Sequence, residues 1–270
     1  MNNYDRTSVI VGVILVGIVL LQVLEIPARA FQFEPFGTPL TVRVTGTWIV
    51  SALLVGLSCA GTETVMRTHP AVRRRTVRYT FPTWILPGLA TAALILLLPR
   101  SPTLLYWLVG LVLGGGILAW LMLAHYHTLG LDERPRGMSV IVLRLSAYLL
   151  GLVLFTAIYR TRMRSLVTAT AATLVAFLIS LSVLSNEKLP MKRVFLYAAV
   201  IALVLGQTTW AFNYWRADSL TVGVLMMLFF YVLVGVVQEY VRGAIDRQVV
   251  VDFMAVAALG IWIVMRYGPR

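Results

Sequence analysis

Apolar residues form nine long runs along the chain, and short polar segments separate these runs. About twenty apolar residues cross a bilayer as a helix, and only helices and closed barrels satisfy every backbone group in lipid. The alternating ten-residue segments of a barrel do not occur in this sequence, so the pattern predicts membrane-crossing helices. The predicted spans are residues 8–24, 47–66, 79–99, 104–126, 138–159, 165–185, 194–215, 220–241 and 249–266.

The segment between the first two runs, residues 25–46, has a different pattern. Apolar and polar residues alternate on both sides of a turn that contains Pro35, Gly37 and Pro39. This pattern is typical of a short β-hairpin, and an ordered loop packed on the helices is the alternative. The sequence therefore predicts an all-α membrane protein with a single domain over residues 1–270. Its expected architecture is a bundle of about nine transmembrane helices with a short outer hairpin or loop between the first two.

The first span could also be the core of a secretory signal peptide. Ala28-Arg29-Ala30 has the small-residue pattern of a signal-peptidase site. However, the apolar run is longer than a typical signal core, and the leader Met1–Thr7 has no net positive charge. We therefore expect a helix that the protein retains.

Composition supports a membrane protein. The 270 residues are 59% hydrophobic and 13% charged, with a mean hydropathy of +0.86, whereas about a quarter of a soluble domain is charged. The net charge of +12 comes from short loops rather than from one continuous basic face, so a nucleic-acid partner is not expected. The basic loops instead predict contact with anionic lipid head groups, above all at the segment Arg67–Arg78.

The segment Arg67–Arg78 also predicts the orientation of the chain. It contains five arginines, and the loops on its side carry 13 Lys and Arg residues against 9 on the other side. Because cytoplasmic loops retain these residues, we expect the N-terminus inside and the C-terminus outside, with residues 25–46 outside.

Two short motifs resemble those of uncharacterised bacterial integral-membrane proteins. These are the turn Phe36-Gly37-Thr38-Pro39 and the helix end Arg67-Thr68-His69-Pro70. The resemblance covers roughly residues 30–70. It implies a multi-pass protein of the bacterial cytoplasmic (inner) membrane and brings no assigned function.

Ionisable side chains inside a span are costly, so they are the first candidates for function. We hypothesise that five of them form a polar cluster on the cytoplasmic side that binds an anionic group: Glu63, His125, Arg144, Glu239 and Asp252. The alternative is a girdle of ion pairs that fixes the helix ends.

The spacing of these residues predicts specific pairs. The guanidinium of Arg144 can extend outward to the membrane surface, but a carboxylate would hold it better than water alone, and Glu63 or Glu239 could supply one. Residues four or three apart meet on one helix face, so Glu63 is also expected to pair with Arg67, and Glu239 with Arg242.

Other residue types predict little chemistry. The single cysteine, Cys59, excludes an intrachain disulfide and a multi-cysteine metal site. His125 and His127 do not share a helix face, so no metal site is predicted, and the sequence assigns no catalytic residue and no cofactor. Gly110 and Gly114 form a G-x-x-x-G pair, which predicts close packing of the fourth span against a neighbour.

Three functions remain open at this point. The sequence favours a non-enzymatic accessory or assembly subunit of a membrane complex, with membrane proteins as partners. A carrier of a small solute or lipid is less favoured, because the middle of the membrane holds almost no charge. An enzyme that acts on lipid at the cytoplasmic face is less favoured, because no paired acid and base motif is present.

Overall fold

The computed structural model describes residues 3–23, 29–33, 40–44, 46–74, 79–129, 133–161, 165–187, 189–214, 218–243 and 247–267. The elements within these residues are α1 (Asn3–Val23), β1 (Arg29–Phe33), β2 (Leu40–Val44), α2 (Gly46–Met66), α3 (Pro70–Arg73), α4 (Pro82–Leu97), a 3-10 turn (Leu98–Arg100), α5 (Leu104–Thr128), α6 (Glu133–Arg160), α7 (Ser165–Leu184), α8 (Met191–Asn213), α9 (Ser219–Arg242) and α10 (Arg247–Tyr267).

Several helices begin or end where the sequence supplies a cap. The Thr103 hydroxyl accepts a hydrogen bond from a free amide at the start of α5, and the Asp218 carboxylate does the same at the start of α9. Gly243 follows α9 with a φ of 67°, a conformation that only glycine adopts without strain. These caps let the apolar runs end sharply at the short loops.

Seven of the nine predicted spans are confirmed as helices that are long and apolar enough to cross a membrane. Within the described residues these helices are Asp5–Gln22, Gly46–Met66, Leu104–Thr128, Gly137–Arg160, Ser165–Leu184, Met191–Asn213 and Ser219–Arg242. The protein is therefore a helical membrane protein with seven such helices in the part of the chain that the structure describes, and the count of nine is corrected.

The other two predicted spans, 79–99 and 249–266, contain shorter apolar helices. Pro82 begins α4, because proline is tolerated in the first turn, and a 3-10 turn containing Pro99 follows the helix. The 16 residues of α4 rise about 24 Å, which is less than the hydrocarbon thickness of about 30 Å. In α10 the residues whose side chains are described form the shorter apolar helix Phe253–Trp262.

Two short strands lie between α1 and α2, in the segment for which the alternation predicts a hairpin or a loop. Strands β1 and β2 pair antiparallel, with Arg29 opposite Val44 and Phe33 opposite Leu40. The turn motif at residues 36–39 lies outside the described residues.

The chain divides into two compact units, and the first is Met1–Leu131. In this unit α1 packs against α2 and α5, and α4 packs against α2 and α5. The close packing predicted from the glycines of α5 is confirmed, because a Cβ at Gly114 would collide with Leu94 of α4 and a Cβ at Gly115 with Leu15 of α1. Its fully buried apolar side chains include Ile14, Met66, Leu86, Leu118 and Met122.

The second unit is Asp132–Arg270. Here α6 packs against α7 and α9, α7 against α8, and α9 against α8 and α10. Its fully buried apolar side chains include Leu143, Phe155, Ile179, Ile201 and Phe230. Each unit thus has its own apolar core.

Candidate functional site

Glu63 joins the end of α2 to the start of α4 in the first unit. Its Oε1 accepts from Arg67 Nε at 2.8 Å, and its Oε2 accepts from Trp84 Nε1 at 2.8 Å. The Thr80 side chain bonds to it as well. The pair with Arg67 confirms the prediction from helix spacing. Its carboxylate therefore connects the two sides of the arginine-rich segment rather than standing free for a ligand.

His125 lies in the interior of the first unit, near the end of α5. The residue is 4% exposed, and its Nε2 has no hydrogen-bond partner among the described residues. Burying an unpaired ring nitrogen costs free energy. His125 is thus a core residue rather than a histidine at the membrane surface.

The motif Arg67-Thr68-His69-Pro70 forms a capped turn beside α5. His69 Nδ1 accepts a hydrogen bond from the Ala71 amide at 3.1 Å, and the His69 ring meets the Tyr126 ring edge-on at 4.7 Å. Burial lowers the pKa of His69, and the nearby charge of His127 lowers this pKa further. His69 is therefore neutral near pH 7, the state in which its Nδ1 can accept this bond.

In the second unit, polar side chains from three places meet at one carboxylate, and we call this group the Glu187 cluster. Glu187 follows α7, and its Oε1 accepts from Arg242 Nη2 at 2.8 Å, from Gln238 Nε2 at 3.1 Å and from Arg144 Nη2 at 3.3 Å. Arg242 Nη1 also donates to Glu239 Oε1 at 3.1 Å. The cluster thus contains Arg144 of α6, Glu187, and Gln238, Glu239 and Arg242 of α9.

The Glu187 cluster corrects one predicted pair and confirms another. Arg144 pairs with Glu187 rather than with Glu63 or Glu239, whereas the pair between Glu239 and Arg242 is confirmed. Glu187 lies three residues beyond the end of α7, outside every predicted span. Glu187 was therefore not among the predicted partners of Arg144, all of which lie in membrane segments.

Within this cluster the charges balance. Two guanidinium groups face two carboxylates, and the Glu187 side chain is only 12% exposed while those of Arg144 and Arg242 are 33% and 42% exposed. A largely buried carboxylate needs hydrogen-bond donors, and Arg144, Gln238 and Arg242 supply three. Through these bonds α6 and α9 are both held to the turn between α7 and α8.

The five predicted site residues are thus divided between the units. Glu63 and His125 belong to the first, and Arg144 and Glu239 belong to the second, where Arg242 and Glu187 link them. Asp252 lies in α10, and its side chain is outside the described residues. No group of three or more His, Cys, Asp or Glu side chains in the described part of the chain could hold a metal ion.

Two recesses among the described residues have linings that include no charged residue. One, of about 500 Å³, lies between the end of α1 and the start of α5 and includes Gln22, Thr103 and Trp107. The other, of about 350 Å³, lies between α7 and α8, and we call it the Gln207 groove. It is lined by Ala169, Thr170, Thr173, Leu203, Gly206, Gln207 and Trp210. Neither lining includes Glu63, His125, Arg144 or Glu239.

Comparison with known proteins gives a family match alone. A protein-family model described as a protein of unknown function matches residues 26–267, which is most of the chain. No curated protein and no solved structure matches.

Proposed function

The chain belongs to the DUF5656 family of unknown function, and on that premise we propose that it is a non-enzymatic accessory or assembly subunit of a membrane protein complex. The observation that carries the proposal is the Glu187 cluster. An active site presents a reactive group to its substrate. Here the carboxylate of Glu187 is bonded to Arg144, Gln238 and Arg242 of its own chain. In this proposal Arg144 and Glu239 hold helices together.

Co-purification in a mild detergent tests this role. We expect the tagged wild-type protein to retain a membrane protein at a constant molar ratio, and deletion of its gene to lower the amount of the assembled partner complex. Arg144→Leu should retain the same partner at low temperature, because Glu187 keeps two other donors.

Activity in reconstituted vesicles would overturn the proposal. Uptake of a solute, or movement of lipid between leaflets, would show a carrier. Turnover of a lipid that Arg144→Leu abolishes without unfolding the protein would show an enzyme that acts on lipid.

We also propose that the protein lies in the bacterial cytoplasmic membrane with its N-terminus inside and its C-terminus outside. The segment Arg67–Arg78 then faces the anionic head groups of the inner leaflet. The exposed side chains of Arg67, Arg73 and Arg74 support this placement, while residues 75–78 lie outside the described residues.

A further inference from the structure

The Gln207 groove places an exposed amide within a helix that is long enough to cross the membrane. Gln207 is six residues before the end of α8, which is about 9 Å at the rise of an α-helix. The side chain is exposed, and no described residue forms a hydrogen bond with its amide. A primary amide that lacks a partner in hydrocarbon costs free energy.

The rest of the groove is small or apolar. Thr170 and Thr173 donate their hydroxyls to carbonyls of their own helix, so these side chains leave the groove without strong competing donors. A Cβ at Gly206 would collide with Thr173, which shows how closely α7 and α8 approach here. Beside this contact Leu203 and Trp210 are exposed, and amide side chains form hydrogen bonds across contacts between membrane helices.

We propose that the Gln207 groove is a dimer interface occupied by α8 of a second copy of this chain. Two copies inserted with the same orientation are related by a two-fold axis along the membrane normal. This axis keeps Gln207 of both copies at the same depth.

A primary amide carries both donors and an acceptor, so each Gln207 satisfies the other through a pair of hydrogen bonds. None of the residues that line the groove is charged, so no like charges oppose the contact. The interface goes beyond the proposed accessory role and does not depend on it.

Disulfide formation in native membranes tests this interface. In a full-length Cys59→Ala background, Leu203→Cys should form a dimer on mild oxidation, because Leu203 lies one turn from Gln207 on the same face. Val112→Cys is the matched control, since Val112 of α5 is an exposed residue of a membrane-length helix outside the groove. We expect no dimer from the control.

The dissociation constant of the dimer in detergent micelles measures how much the Gln207 amide contributes to the contact. Gln207→Leu should weaken the dimer by about tenfold, from the loss of two interhelical hydrogen bonds, while Gln207→Asn should retain most of the affinity. Gln207→Leu should leave the thermal unfolding temperature of the monomer unchanged, because the side chain is exposed.

Three results would overturn the proposal: a monomer at all concentrations, a Leu203→Cys disulfide to a different protein, or an undiminished dimer in Gln207→Leu.

Discussion

At the residue scale, protonation of the His69 ring changes a described contact. Its Nδ1 caps α3 by accepting from the Ala71 amide, and the residue is 9% exposed. Protonation would place a hydrogen on Nδ1 and abolish this bond. Because the folded protein disfavours the charged ring, it binds fewer protons than the unfolded chain does below the usual His pKa of 6.5.

We therefore expect the free energy of unfolding to fall as the pH is lowered through 6.5, by up to about 1 kcal/mol, the typical value of a cap. His69→Asn keeps a capping oxygen but does not titrate, so its stability should depend less on pH than that of the wild type. Thermal unfolding in detergent between pH 8 and pH 5 measures the difference. Parallel pH curves for the two proteins would contradict the assignment.

At the element scale, the Glu187 cluster connects three elements through one carboxylate. Glu187 accepts from donors on α6 and α9, whereas Glu239 pairs with Arg242 of its own helix. Loss of the shared acceptor affects three donors, whereas loss of one donor leaves the other two in place. The loss of unfolding free energy caused by a substitution should therefore depend on how many hydrogen bonds the residue makes in the cluster.

We expect Glu187→Gln to lower the free energy of unfolding by about 1–3 kcal/mol, since it removes a largely buried charged acceptor. Arg144→Leu and the control Glu239→Gln should each lower the free energy of unfolding by less than about 1 kcal/mol, because the side chains of Arg144 and Glu239 are more exposed than that of Glu187. Thermal unfolding of the three variants provides the comparison. A Glu239→Gln protein as unstable as Glu187→Gln would show that Glu187 is not the centre of the network.

The glycines of α5 provide a second test of packing. Gly114→Ala should destabilise the protein, because its Cβ collides with Leu94, whereas the Cβ of Gly116→Ala meets nothing within 4 Å. Alanine favours a helix over glycine by about 1 kcal/mol, so Gly116→Ala should be neutral or stabilising. Equal unfolding temperatures for the two variants would rule out the close contact between α4 and α5.

Whether a side-chain pair can be predicted from the sequence depends on how far apart its two residues lie along the chain. The pair of Glu63 with Arg67 follows from helix spacing alone, and it was predicted correctly. The bond from Trp84 to Glu63 joins residues 21 apart in sequence, and the pair of Arg144 with Glu187 joins residues 43 apart. No periodicity encodes such pairs, because they depend on which helices become neighbours.

At the scale of the whole molecule, the orientation in the membrane rests on the arginine-rich segment. In the Cys59→Ala background, Arg74→Cys should resist a membrane-impermeant maleimide added to intact cells, and Thr47→Cys should react. Thr47 is the matched control because it is exposed at the opposite end of α2. Both positions should react in permeabilised cells. Reaction at position 74 in intact cells would reverse the orientation.

The division of the chain also affects how the protein is made. Each helix contact described above lies within Met1–Leu131 or within Asp132–Arg270. Because translation proceeds from the N-terminus, α1 to α5 have all left the ribosome before most of the second unit is synthesised, and their contacts can form during insertion. A gene divided at the codon for Asp132 would therefore encode two polypeptides, each with the complete set of residues for its own core.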